Sequence, residues 1–311
     1  MKNYYIENAI KTRAVYCTDE GLVFVEDLVE KQILYKFNIF DDRYKYLLYE
    51  WNIRPCFFFS PDEKWLIITY GIGYIYFVEL ASGMIYEKIR LFEDVDYDTH
   101  SFEDIDTCCY YNEYTQVDFS SSGHYMCARV RGDFDPQESD GRTTMFNPIF
   151  FRSVFVFDMK TREVVFKYSY PEAEEYKATS LGTIAFSPDE KLLVTGVFGG
   201  QVKVFDLLSS EELACLEQLE WVGEPCDIDN RRLVVFLNNN EFLYVNKEKQ
   251  LVWVVRNGFN NWYIKTKIIR EEMVSVRTLF DIEYDRIQNV IKCYGWEKEP
   301  ICIIKLQEMV L

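Results

Sequence analysis

The densest group of side chains able to do chemistry is the acidic segment FEDVDYDTHSFEDID at residues 92–106. Alternate carboxylates, as in its Asp-x-Asp-x-Asp run, can converge on a hard cation such as calcium. The segment departs from a calcium-binding loop, because Thr99 stands where the turn glycine should be and Ile105 where the bidentate glutamate should be. We expect a solvated connecting segment, with an acidic docking patch as an alternative. Its carboxylates are Asp94, Asp96, Asp98, Glu103, Asp104 and Asp106.

A second candidate is the inserted loop GDFDPQESDGRTTMFNPIFFRS at residues 132–153. It is longer than a hairpin needs, and long loops on rigid scaffolds tend either to carry function or to be disordered. Two interpretations stay open. The apolar second half packs back on the domain, with Phe150 and Phe151 beginning the next strand, or it projects as a hook for a protein partner. The residues predicted to bind that partner are Arg142, Met145, Phe146, Ile149 and Phe150.

Residue patterns typical of catalysis are missing from the sequence. The stretch SSSGH at residues 120–124 sets a hydroxyl near an imidazole, but it aligns with a turn that recurs along the chain. A G-x-S-x-G motif, a phosphate-binding loop and a dinucleotide-binding glycine pattern do not occur. His124 has no partner at metal-ligand spacing, and His100, in the acidic segment, is a lone imidazole and weak evidence for a metal site. We therefore predict no catalytic residue, no metal ligand and no cofactor.

Charge and composition narrow the classes of partner. The 311 residues include 51 acidic and 34 basic side chains, a formal net charge of −17, which disfavours phosphate-backbone binding by Lys and Arg. The longest uncharged stretch, WLIITYGIGYIYFV at residues 65–78, is shorter than the roughly 20 residues of a membrane helix. Two glycines interrupt it, so it predicts two buried strands joined by a turn. We expect binding to neither nucleic acid nor membranes.

The cysteines and the N-terminal residues indicate a compartment. Nine cysteines occur without any C-x-x-C pair, and no apolar leader follows Met1. Reduced thiols in a cytoplasmic protein fit this usage best. We expect a cytoplasmic monomer.

One six-residue sequence, FSPDEK, occurs twice within a longer repeat. CFFFSPDEKWLIITYGIGYIYFVELASGMIYEKI (56–89) aligns with TIAFSPDEKLLVTGVFGGQVKVFDLLSSEELACL (183–216). A third copy is VDFSSSGHYMCARV (117–130), continued by SVFVFDMKTREVVFKY (153–168). Serine, proline and aspartate suit successive positions of a type I turn, so each copy predicts strand–turn–strand. Two more strands follow in each copy. Four strands per unit without a helical period predict a β-propeller blade.

The Ser-Pro-Asp-x-Lys turn, followed by a hydrophobic strand and Val-x-Val-Phe-Asp-Leu, resembles WD40-like and YVTN-type propellers in their bacterial style. The three copies cover about a third of the chain. The sequence departs from the fuller WD40 pattern in having Phe-Asp instead of Trp-Asp and in lacking an opening Gly-His. The resemblance implies a fold and no single function, because propellers host many unrelated activities.

The predicted architecture is all-β, a β-propeller of six or seven four-stranded antiparallel blades in one domain over residues 1–311. Residues 10–37 predict three strands, and residues 224–255 and 262–296 predict two divergent blades. We expect the tail at residues 300–311 to pair with the N-terminal strands and close the ring, because closure removes two exposed edges.

A non-catalytic scaffold that presents loops to a protein partner fits these features best, since it needs no catalytic set. Two other functions stay open. The YVTN resemblance implies a lactonase-like hydrolase at the mouth of the central channel as one alternative. The acidic segment permits a sensor of a small ligand or cation as the other.

Overall fold

The structure is a computed structural model, and the chain forms two compact units. Unit 1 comprises Met1–Val117 and Val130–Phe151, and unit 2 comprises Asp118–Arg129 and Arg152–Leu311. The residues that the structure describes are 4–18, 21–38, 55–70, 74–90, 114–134, 149–170, 183–196, 201–218, 233–246, 248–258, 261–270, 273, 281–295 and 299–309.

The first three sheets each contain four antiparallel strands, and strands consecutive in the chain are neighbours. Sheet 1 contains β1 (Tyr4–Glu7), β2 (Arg13–Cys17), β3 (Leu22–Asp27) and β4 (Gln32–Asn38). Sheet 2 contains β5 (Cys56–Phe59), β6 (Trp65–Tyr70), β7 (Tyr74–Glu79) and β8 (Ile85–Arg90). Sheet 3 contains β9 (Tyr114–Phe119), β10 (Tyr125–Phe134), β11 (Ile149–Asp158) and β12 (Val164–Ser169).

The last three sheets follow the same order, and the sixth has three strands within the described residues. Sheet 4 contains β13 (Thr183–Phe186), β14 (Leu192–Gly196), β15 (Gln201–Asp206) and β16 (Glu212–Gln218). Sheet 5 contains β17 (Val234–Asn238), β18 (Glu241–Val245), β19 (Leu251–Asn257) and β20 (Asn261–Ile268). Sheet 6 contains β21 (Asp281–Asp285), β22 (Val290–Tyr294) and β23 (Pro300–Lys305), and a short 3₁₀ helix, Leu306–Met309, follows.

The all-β prediction is confirmed, and six sheets are present in the described parts of the chain. The uncharged stretch at 65–78 forms β6 and β7, the pair of strands predicted for it. The aligned copies at 56–89, 117–168 and 183–216 each form one four-stranded sheet, sheets 2, 3 and 4.

Two predictions about the later strands are wrong. The segment WYIKTKI was predicted to begin the blade at residues 262–296. It lies in β20 and pairs with β19 of sheet 5. The reason is a tight turn at Gly258, whose φ of +71° suits glycine, so that β19 and β20 form a hairpin. The tail was predicted to pair with the N-terminal strands, but β23 pairs with β22, and residues 4–38 complete a four-stranded sheet of their own.

The middle strands of sheet 4 are buried on both faces. Leu193 and Phe205 pack in one apolar cluster with side chains of sheet 3, whereas Leu192 and Val194 pack in another with side chains of sheet 5. Successive side chains of a strand point to opposite faces, so one strand serves both clusters. All five residues of β14 are buried, which explains its continuous apolar sequence.

The repeated serine closes the turn between the first and second strands. In sheet 4 the Ser187 Oγ accepts the Leu192 N–H at 3.0 Å and donates to Asp189 Oδ1 at 2.7 Å. The Glu190 N–H donates to the Ser187 carbonyl at 2.9 Å, and Glu190 itself has φ +59°. The aligned serines, Ser60 and Ser120, accept the N–H five residues later in the same way.

A further copy of this turn joins β1 and β2, where Asn8 replaces the serine. Its Oδ1 accepts the N–H groups of Thr12 at 2.8 Å and Arg13 at 2.9 Å, and Lys11 takes the positive φ of +56°. An asparagine side chain supplies the same acceptor as a serine. The sequence comparison missed β1 because this copy has neither serine nor proline.

The turns also connect neighbouring sheets within each unit. In unit 1, the Asn8 Nδ2 of sheet 1 donates to Glu63 Oε1 of sheet 2 at 2.8 Å. In unit 2, the Ser122 N–H and Oγ of sheet 3 donate to the Glu190 carboxylate of sheet 4 at 2.8 and 2.9 Å. The side chain of a glutamate with positive φ therefore bridges two sheets in both units.

We predict that Glu190 makes stability depend on pH. Partial burial raises the pKa of Glu190, but the hydrogen bonds from Ser122 and the charge of His124 outweigh it and hold that pKa below its ordinary value of 4.5. A carboxyl with a lowered folded pKa stabilises above the unfolded pKa, and the effect is lost as pH falls through the folded value. Glu190→Gln should reduce the free energy of unfolding at pH 7 by about 1 kcal/mol, since water screens this partly exposed group.

Urea denaturation of both proteins between pH 3 and pH 7 measures this difference, which should shrink below about pH 4. The control is Glu211→Gln in an exposed turn, which should match the wild type at every pH. A constant difference across the pH range would contradict the role assigned to the carboxylate.

Candidate functional site

The structure places the inserted segment between β10 and β11, the second and third strands of sheet 3, as the sequence predicts. These two strands have ten residues each, whereas β9 and β12 have six. The connection between them spans the 14 residues 135–148. The corresponding connections of the other five sheets span three to five residues, so the long connection is specific to sheet 3.

The predicted site residues fall partly within the structure. Strand β11 begins at Ile149, one residue before the start predicted at Phe150 and Phe151, so Ile149 and Phe150 are its first two residues. Arg142, Met145 and Phe146 lie outside the described residues. The acidic segment 92–106 also lies outside them, with Asp94, Asp96, Asp98, Glu103, Asp104 and Asp106. The binding roles of both sets stay predictions.

Strand β11 begins four residues before Ser153, the first of its residues paired with β12 within the described part of the chain. The pairing runs from Ser153 opposite Ser169 to Phe157 opposite Val164, so the residues before Ser153 extend towards the insertion. The hydroxyls of Ser153 and Ser169 share a hydrogen bond of 2.9 Å at the end of the paired part, and Ser153 is buried. This buried contact ties β11 to β12 at Ser153.

Strand β10 is fixed at the corresponding point by an ion pair with β9. Arg129 Nη2 lies 2.8 Å from Asp118 Oδ2, and the side chains are 2% and 22% exposed, respectively. Because water is largely excluded from this pair, the attraction between the two charges is screened less than it would be on the surface. Arg129 immediately precedes residue 130, where β10 continues towards the insertion. Both strands that carry the insertion are therefore anchored at their base.

Other polar groups near this base are satisfied inside the core. The hydroxyls of Tyr170, at the end of β12, and Thr195 share a hydrogen bond, and burial raises the pKa of Tyr170. Thr195 donates to the Thr183 carbonyl at 3.1 Å, and Thr183 Oγ1 accepts the Leu233 N–H at 3.0 Å. This chain of hydrogen bonds joins sheets 3, 4 and 5. It engages the hydroxyls of Tyr170, Thr195 and Thr183 inside the core.

The Cys127 thiol lies in the same buried region of β10. Burial is the main cause that raises its pKa well above the ordinary value, the Asp118 carboxylate adds to this, and Arg129 opposes it. A thiol with a raised pKa keeps its proton at neutral pH and is a poor nucleophile. Cys127 therefore acts as a packing residue.

Among the described residues, we find neither a group of side chains suited to a metal ion nor a helix suited to a bilayer. Among them, no group of three or more His, Cys, Asp and Glu side chains is placed to hold a metal ion. His124 stands at the exposed entrance of β10, as predicted, with Nε2 at 3.6 Å from Asp158 Oδ2. No helix among these residues has the length and apolarity to cross a bilayer.

Comparison with known proteins identifies the fold. No family model and no curated protein matches the chain. Among solved structures, 1238 chains match it, including dihydro-heme d1 dehydrogenase NirN in complex with DHE. That match has a TM-score of 0.50 and 11% identity, and it covers 98% of this chain and 54% of NirN. The fold is that of a β-propeller. The chain spans about half of NirN, and at this identity the likeness carries no activity.

Sequence reasoning missed the Asp118–Arg129 pair. The one available signal was a charged residue inside the apolar run YMCARV, because an arginine there must find a buried partner. The partner could not be chosen from the sequence, since it depends on the register between two strands.

We predict that replacing one partner of the Asp118–Arg129 pair lowers the free energy of unfolding strongly, whereas replacing both partners lowers it less. Arg129→Met leaves a partly buried carboxylate without its partner and should cost about 3–5 kcal/mol of unfolding free energy. The double variant Asp118→Leu/Arg129→Met should lie closer to the wild type, because no uncompensated charge remains. Urea denaturation of the two single variants and the double variant measures the coupling.

The matched control is the exposed pair of Lys64 and Asp62, whose atoms lie 2.9 Å apart with side chains 73% and 42% exposed. Lys64→Met should cost less than about 1 kcal/mol. Additive effects of Asp118→Leu and Arg129→Met would show that the pair does not act as a unit.

Proposed function

We propose that the protein is a non-catalytic interaction scaffold whose propeller presents residues 132–153 to a protein partner. The observation that carries this proposal is the pair of ten-residue strands β10 and β11, anchored at their base by Asp118–Arg129 and Ser153–Ser169. A segment mounted on fixed strands loses less conformational entropy on binding than one on a mobile chain.

The composition of the insertion supports a protein as the ligand. Its apolar half contains Met145, Phe146, Ile149 and Phe150, and Arg142 precedes it. Aromatic residues, methionine and arginine are enriched in the cores of protein–protein interfaces. The net charge of −17 favours a partner with a basic surface around the apolar contact, since opposite charges speed encounter.

Three finer assignments belong to the same proposal. The WD40-like or YVTN repeat type rests on the recurring Ser-Pro-Asp turn and the Phe-Asp pair. A cytoplasmic location rests on the cysteine usage, and a monomer that binds neither nucleic acid nor membranes rests on charge and hydropathy.

The test compares two variants of matched chemistry. Met145→Ser/Phe146→Ser alters the insertion, and Leu208→Ser/Ile287→Ser alters two apolar side chains that are 80% and 98% exposed on other turns. Partners are captured from source-cell lysate with the wild type, identified by mass spectrometry, purified and titrated against each protein. Loss of two interface anchors should weaken binding by about thirtyfold or more, whereas the control pair should leave it unchanged.

Thermal melting of each protein shows whether the propeller stays folded. A third variant replaces residues 133–150 with a short Gly-Ser linker and should abolish binding without lowering the melting temperature. Two results contradict the proposal. One is equal affinity of all variants for the purified partner, and the other is capture of no stoichiometric partner by the wild type.

A further inference from the structure

Two cysteines face each other across the last two strands of sheet 6. In the antiparallel pairing of β22 with β23, Cys293 lies directly opposite Cys302. Both are reduced in this structure. Among the strand pairings of the described residues, the other cysteines face different residue types: Cys17 faces Val23, Cys56 faces Thr69 and Cys215 faces Lys203.

The spacing of the two backbones suits a disulfide. The Leu306 N–H donates to the Asn289 carbonyl at 3.3 Å, which makes residues 289 and 306 a hydrogen-bonded pair. Such pairs alternate along an antiparallel ladder, so Cys293 and Cys302 are also of this kind, with Cα atoms about 5.5 Å apart. Disulfides join residues whose Cα atoms are about 4.4–6.8 Å apart. The side chains of a hydrogen-bonded pair lie farther apart than those of the non-hydrogen-bonded kind. The disulfide must therefore draw the two strands together locally, at the register shift beside Cys293.

The two thiols differ in their exposure to solvent, and this difference decides which of them an oxidant reaches first. Cys293 is fully buried, whereas Cys302 is half-buried on the outer strand. The hydrogen bond with Cys302 is the main cause that raises the pKa of Cys293, and burial adds to it. Cys293 therefore keeps its proton and donates it to the Cys302 sulfur. The accessible Cys302 is the sulfur that an oxidant reaches first.

We propose that Cys293 and Cys302 form a reversible disulfide site that responds to a peroxide and clamps β23 to β22. The Cys302 sulfur attacks one oxygen of hydrogen peroxide, the O–O bond breaks, and a sulfenic acid and one water form. The Cys293 sulfur then attacks the Cys302 sulfur while its proton passes to the sulfenic oxygen, so that no free Cys293 thiolate has to form, and the S–O bond breaks. The hydroxide leaves with the Cys293 proton as a second water. Two thiols lose two electrons in total, and the peroxide gains them.

The position of the pair gives the bond a structural effect. Sheet 6 has three strands in the described part of the chain, and β23 is its outer strand. Ile303, next to Cys302, is 55% exposed. An outer strand is held on one side only and opens more easily than a central one. A disulfide to the buried Cys293 ties this strand to the apolar cluster of sheets 4 to 6, of which Cys293 is a member.

The experiment treats the folded full-length protein with hydrogen peroxide, blocks remaining thiols with iodoacetamide and digests with trypsin without reduction. Trypsin cuts after Lys292, Lys298 and Lys305, so the disulfide would join CYGWEK (293–298) to EPICIIK (299–305). Mass spectrometry should find this linked pair as the main disulfide product, and dithiothreitol should release it. The expected melting temperature of the oxidised wild type is several degrees above that of the reduced protein.

Two variants decide the assignment. Cys302→Ser should lose both the linked peptides and the rise in melting temperature on oxidation, whereas Cys215→Ser, which alters an exposed cysteine, should keep both. The proposal is overturned if the folded wild type oxidises at Cys56 or Cys215 without forming the linked peptides. It is also overturned if the link forms only after addition of denaturant. The wild-type peptide map decides these points even if Cys302→Ser does not fold.

Discussion

The structure depends on sheets whose middle strands are buried on both faces. Side chains of β14 alternate between two apolar clusters, with Leu193 facing sheet 3 and Leu192 and Val194 facing sheet 5. Alone, such a sheet would expose both apolar faces to water, at a cost of roughly 25 cal/mol per Å² of apolar surface. Such a sheet needs a neighbour on both sides, as sheet 4 has in sheets 3 and 5, and the contacts that hold neighbouring sheets in register matter as much as the strands.

The turns between the first and second strands hold neighbouring sheets in register. A non-glycine residue with positive φ costs on the order of 1 kcal/mol, yet Glu63 and Glu190 both adopt it. Their side chains accept hydrogen bonds from the neighbouring sheet, from Asn8 and Ser122, respectively. Gly123 takes the same position in sheet 3 without strain, and there the adjacent serine supplies donors. Local backbone strain is thus offset by the contact that aligns two sheets.

The strand–turn–strand elements can be predicted from the sequence where the turn contains serine, proline and aspartate. They are missed where another residue, such as Asn8, makes the same hydrogen bonds. Serine, proline and aspartate made three copies visible, but the copy at Asn8 was missed, so β1 was lost and a false pairing was assigned to the tail. The insertion was located because it interrupts a repeat. The Asp118–Arg129 anchor and the Cys293–Cys302 pair could not be foreseen, because both depend on which residues of two strands lie opposite each other.

The departures from the repeat are the places where specific function is expected. Repeated positions are constrained by the double-sided packing, and a fold shared with 1238 solved chains says little about any one of them. Sheet 3 departs by a long connection on anchored strands, and sheet 6 departs by a cysteine pair beside its outer strand. The insertion is not needed to bury the core, since the other sheets pack without it, and burial of Cys293 does not require a second cysteine opposite it. Features that the packing does not require are the places where we propose binding and a redox response.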